Sequence, residues 1–82
     1  MAYKLIKFEK EGCAPCSAAQ NFLDDLGVEV ERIMAFDNPK ESSKYEIGTL
    51  PTIILLKDGE EVQRSTGFKP DELEEMAEKL NG

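Results

Sequence analysis

The run Thr52-Ile53-Ile54-Leu55-Leu56 is the most continuously apolar stretch of the chain. A strand of that character is buried in the middle of its sheet, so the rest of the sequence has to be arranged around it. Asp58-Gly59 is a hairpin signal, and Val62 to Thr66 pairs back against the central strand. Tyr3 to Phe8 is a short apolar run broken by lysines, a first strand. Glu11-Gly12 turns the chain, and Pro15 suits the first turn of a helix. Ala18, Ala19, Phe22, Leu23 and Leu26 recur at helical spacing, with Gly27 as a stop. Val28 to Phe36 reads as a second strand, charged enough to be half exposed or at an edge. Asn38, Pro39 and Glu41 form a capping arrangement for a short helix that ends by Gly48. Pro70, Asp71 and Glu72 open a last helix, with Leu73, Met76, Ala77 and Leu80 as its buried stripe. The order is βαβαββα. It predicts an α/β fold, one domain over residues 1–82, with a four-stranded mixed sheet and helices on both faces.

Eighty-two residues support one small core. Seventeen acidic against ten basic residues leave a formal net charge of −7. That field repels a phosphate backbone or an anionic membrane, so neither nucleic acid nor membrane is expected as a partner. Histidine is absent, which removes the usual proton shuttle and the commonest metal ligand. Leu5-Ile6 is cut short by Lys7, so no signal-peptide core forms, and no window approaches a membrane span. A cytoplasmic monomer is expected, and in that compartment a bare structural disulfide is unusual.

Against this background stands Cys13-Ala14-Pro15-Cys16, placed where the first strand pattern gives way to the first helix pattern. A thiolate, not a thiol, attacks a disulfide. Cys13, at or just before the first helical turn, faces backbone N–H groups without intrahelical acceptors and the positive end of the helix dipole. Both stabilise its anion. Cys16, one turn further in, is expected to be more buried and less acidic. Cys13 is therefore the candidate nucleophile, and Cys16 the candidate that resolves the mixed disulfide. Pro15 stiffens the turn, and Ala14 is small enough to let a target approach. Other readings stay open at this point. The pair makes half of a zinc site, which needs ligands from elsewhere. It makes a static disulfide, closing too small a loop to constrain the unfolded chain much. It also makes a pair of unreactive buried thiols.

The first strand, the Cys13–Cys16 turn into a helix, Gly48-Thr49-Leu50-Pro51-Thr52 entering an apolar strand, the Asp58-Gly59 hairpin and Gly67 before the last helix together resemble thioredoxin. The resemblance covers nearly the whole chain, in a form trimmed of the extra N-terminal strand and helix. It implies a thiol-disulfide oxidoreductase that reduces protein disulfides, binds no cofactor and is recharged by a flavin-dependent thioredoxin reductase. It also implies a cis Pro51 beside the dithiol, a Leu50 backbone free to pair with an extended target, and an uncharged rim completed by Gly67 and Phe68. Ordinary core packing is the alternative for Leu50 and Phe68.

Two positions depart from the thioredoxin pattern. Gly12 stands where a tryptophan is usual, so part of the apolar docking surface is missing. Lys7 falls where a buried aspartate would assist proton transfer at the resolving cysteine. Lys7 either favours the thiolate electrostatically or extends to solvent from a strand end, and the second is the stronger expectation. These departures bring glutaredoxin-like, glutathione-dependent exchange into view. There Lys10 and Lys69 would meet the tripeptide's carboxylates, although Ser65-Thr66-Gly67-Phe68-Lys69-Pro70-Asp71 offers only one glycine to its backbone. An alternative of another class is a non-enzymatic adaptor that uses the two cysteines to hold zinc or to report redox state.

Overall fold

A computed structural model of the chain describes residues 2–82. The elements run β1 (Tyr3–Glu9), α1 (Ala14–Asp25), β2 (Glu31–Met34), a 3-10 turn (Ala35–Asp37), α2 (Pro39–Lys44), β3 (Thr52–Lys57), β4 (Glu60–Thr66) and α3 (Pro70–Asn81). The sheet order is β2-β1-β3-β4. β1 pairs parallel with β2 and antiparallel with β3, and β3 pairs antiparallel with β4. This is the mixed four-stranded sheet predicted from the pattern, and Thr52 to Leu56 are buried throughout.

The alternation of side chains along β1 and β3 feeds two apolar clusters, one on each face. Leu5, Ile53 and Leu55 point toward α1 and α3, where they pack with Ala19, Leu23, Leu73 and Met76. Ile6, Phe8, Ile54 and Leu56 point the other way, against Ala35, with Tyr45, Ile47 and Leu50 packed around them. α1 and α3 therefore cover one face, and the 3-10 turn together with the segment that follows α2 covers the other. Leu80, expected in the buried stripe of α3, only borders its cluster, and Leu26 is exposed just past α1.

Three local readings are corrected. The second strand is Glu31–Met34 rather than the span from Val28 to Phe36. Val28 follows Gly27 as loop and buries itself in the α1–α3 core, while Ala35–Asp37 coil into the 3-10 turn. Asn38 does stand at the N-cap of α2, but its side chain makes no cap hydrogen bond. Its Nδ2 donates instead to the Met34 carbonyl at 2.9 Å, tying the helix start to the end of β2. The hairpin strand starts earlier than Val62. A register shift between Leu55 and Leu56 leaves Val62 bulged and exposed.

The pairing registers decide where function can sit. Glu9 lies opposite Met34, Phe8 opposite Thr52, and Thr52 opposite Thr66. One end of the sheet thus collects the exits of β1, β2 and β4 and the entry of β3.

Candidate functional site

The loop leaving β1 at that end turns at Gly12, whose φ of +68° is a left-handed value that glycine adopts without strain. Cys13 follows as the N-cap of α1, in extended conformation at φ −104° and ψ 103°. A proline in the first helical turn gives up an N–H that had no intrahelical acceptor anyway. The Cα atoms of Cys13 and Cys16 are 5.2 Å apart, and their sulfurs are joined in a disulfide. The Cys16 N–H also donates to Cys13 Sγ at 3.2 Å, so the helix start aims a backbone donor at that sulfur.

The two cysteines differ in access. Cys13 is 8% exposed and Cys16 3%, in the order expected. A cavity of about 420 Å³ is lined by Gly12, Cys13 and Ala14 together with Glu9, Arg32 and Met34, among others, while Cys16 does not border it. Lys10 and Glu11 line it too, and with Met34 they also line a neighbouring hollow bordered by Phe36, which is 77% exposed. A larger cavity, about 780 Å³, opens at the other end of β1 and holds neither cysteine.

The residues expected at the rim divide. The Leu50–Pro51 peptide is cis, and Pro51 is fully buried. Gly67 N–H donates to the Pro51 carbonyl at 2.8 Å, locking the exit of β4 to the entry of β3. Leu50 turns its side chain into the cluster around Phe8. Phe68 packs edge-on against Phe22 of α1, with ring centroids 5.9 Å apart, while its outer part stays exposed. Of the two lysines named for a glutathione site, Lys10 lines the Cys13 cavity and Lys69 does not.

Lys7 overturns its expectation. It does not extend to solvent: its side chain is 0% exposed, beneath the first turns of α1. The ammonium has three partners, Glu9 Oε1 at 2.7 Å, Gln20 Oε1 at 2.6 Å and the Cys16 carbonyl at 3.3 Å. The other Glu9 oxygen, Oε2, accepts from both Nε and Nη2 of Arg32 at 2.8 Å. Burial pushes the Lys7 ammonium below its ordinary lysine value, with Glu9 pulling it back. A solvent-seeking lysine was expected because burying one charge alone is expensive. Glu9 and Arg32 supply what that reading lacked. The spacing of Lys7 and Glu9, two apart on a strand, was the available signal, since it puts both on one face. Arg32 needed the β1–β2 register, and Phe36 was absorbed into the expected second strand.

Chemically, the arrangement is a two-electron store at a helix start, open to one side, with a buried ion pair behind it. Among the described residues, no group of three or more Cys, Asp, Glu or His side chains is gathered to hold a metal ion. No helix among them is long and apolar enough to cross a membrane.

Comparison with known proteins agrees with the geometry. A family model described as thioredoxin matches residues 2–79. A thioredoxin-like protein of Bacillus subtilis, YosR, derived from the SPbeta prophage, is 38% identical over 78 residues, covering 94% of this chain and 98% of its own. Thioredoxin of Staphylococcus epidermidis is 34% identical over 75 residues, 84% of this chain and 72% of its own. Among solved structures, Fasciola hepatica thioredoxin superposes with a TM-score of 0.85 at 25% identity, covering 96% of this chain and 81% of its own. Mitochondrial thioredoxin 3 of Saccharomyces cerevisiae gives 0.83 at 26% identity, over 95% and 78%.

Proposed function

The chain belongs to the thioredoxin family of thiol-disulfide oxidoreductases, and from that premise we propose that it reduces disulfides of client proteins with Cys13 attacking and Cys16 resolving. The observation that carries the assignment of roles is access: Cys13 opens onto the cavity at the sheet end, and Cys16 lies behind it. The Cys13 thiolate attacks one sulfur of the client disulfide, forming a mixed disulfide and releasing one client thiolate. Cys16, after losing its proton, attacks Cys13 Sγ and releases the second client thiolate. Two electrons pass to the client, whose thiolates take up two protons, and the Cys13–Cys16 disulfide is left. The redox-active disulfide is itself the functional group, and a thioredoxin reductase returns it to the dithiol. Ala14 and Gly12 keep the approach to Cys13 low, and the Leu50 backbone, which has no hydrogen-bond partner among the described residues, offers an extended client a place to pair.

The test uses single serine variants with insulin as the disulfide substrate. Cys16→Ser is expected to arrest at a Cys13–insulin mixed disulfide visible by mass, and Cys13→Ser to form none. A mixed disulfide accumulating on Cys16 instead would reverse the roles. The wild-type reduction potential separates client reduction, near about −270 mV, from glutathione-coupled exchange, near about −200 mV.

A further inference from the structure

The exchange just described leaves three charged side chains beneath the dithiol without a task. Lys7, Glu9 and Arg32 form a continuous line: cation, anion, cation. The inner cation is fully enclosed and holds the Cys16 carbonyl, while the outer one is 58% exposed. The anion between them lines the same cavity as Cys13. We propose that these three residues are positioning residues that bias the redox couple: Lys7 stabilises the reduced dithiol's thiolate, Glu9 opposes it, and Arg32 limits how far Glu9 does so. The proposal rests on the reading of Cys13 as the nucleophile.

Reducing the Cys13–Cys16 disulfide takes up two electrons and two protons to give two thiols. Ionisation of one then releases a proton and places a negative charge on sulfur at the start of α1. In the water-poor interior a charge acts on its neighbours with little screening. Lys7 is held there by a direct contact to the residue that contains the second sulfur, and its cation favours the ionised, reduced state. The anion of Glu9 has the reverse effect on Cys13. Arg32, from β2, occupies Glu9 Oε2 and mutes that effect, more weakly because water reaches it. The other charged groups at the site are Lys10 and Glu11, exposed at the cavity rim, and Asp24, which meets Lys7 only through Gln20. A buried ion pair is weak evidence of stabilisation in itself, so a role in setting the couple is the more economical account of its placement.

The test measures the Cys13 pKa from the pH dependence of alkylation of the reduced protein, and the potential by equilibration with glutathione. Lys7→Met is expected to raise the thiol pKa by about one unit. It should also make the couple about tenfold more reducing, equivalent to about 30 mV. Glu9→Gln is expected to shift both quantities the other way. Arg32→Gln is expected to follow Lys7→Met with a smaller shift, and Lys7→Arg to restore the wild-type values. Arg32 is half exposed, so its variant carries the test if the buried variants do not fold. Unchanged values overturn the proposal, and so do shifts of one sign in Lys7→Met and Glu9→Gln, which signify loosened packing. Neither readout needs a client. A wild-type protein that fails to reduce insulin therefore sinks the functional reading, while flat pKa values and potentials in an active protein sink only this inference.

Discussion

At the scale of single residues, the dithiol was legible and the ion line behind it was not. Cys13 and Cys16 announce themselves by spacing and by position between two periodic patterns. Lys7 looked like a strand-end lysine because its partners are contributed by different elements: Glu9 by the same strand, Gln20 by α1, and Arg32 as the outer partner of Glu9 from β2. Its burial has a consequence for stability. The native Lys7 value lies below the ordinary value of 10.5 because burial opposes the charge. Below that lowered value both native and unfolded chains hold the proton, and the cost of the buried cation is fully present. Between the lowered value and 10.5 the unfolded chain binds a proton that the native chain lacks, so stability rises with pH across that window. In Lys7→Met this contribution is gone. Urea unfolding of the oxidised proteins, from about pH 8 to about pH 10.5, should show wild type gaining on the variant as pH rises. A gap that stays constant would show that Lys7 does not titrate differently in the two states.

At the scale of elements, the existence and order of strands and helices followed from pattern, while their ends were set by contacts that no local rule contains. The Asp58-Gly59 turn is as predicted, both residues having positive φ (52° and 87°), the conformation a two-residue hairpin demands. The start of α2 is not. Asn38 has the right residue type for a cap, but the Met34 carbonyl, brought near by the 3-10 turn, takes its amide. The end of α2 is likewise fixed from a distance: Arg64 on β4 donates to the Tyr45 carbonyl at 2.7 Å while pairing with Glu61 through Nε and Nη2. This one guanidinium ties the edge strand to the helix on the face opposite α1. Arg64→Ala should therefore cost more than an exposed ion pair, about 1–2 kcal/mol. Arg64→Gln should recover only part of that cost. Equal stabilities for wild type and Arg64→Ala, measured by thermal unfolding, would mean that the Tyr45 contact contributes nothing.

At the scale of the whole molecule, folding and redox chemistry are two sides of one cycle. The oxidised and reduced chains can each be native or unfolded, so the difference between their stabilities equals the difference between the native and unfolded redox couples. The bridge spans only three positions in sequence, and its effect on the unfolded chain's entropy is the same in any variant that keeps both cysteines. Entropy therefore drops out when variants are compared, and the native electrostatics remain. The unfolded chain has no enclosed ammonium held against α1, so whatever Lys7 contributes to the couple is contributed by the native state alone. A tenfold change in the couple corresponds to about 1.4 kcal/mol. Lys7→Met should accordingly destabilise the reduced protein by about 1.4 kcal/mol more than it destabilises the oxidised protein, at a pH where Cys13 is ionised. Glu9→Gln should show the opposite difference. Chemical unfolding of each variant in both redox states, set beside its measured potential, closes the cycle. Agreement between the two routes would place the bias in the folded state, whereas equal losses in the two redox states would make Lys7 a packing element and no part of the redox chemistry.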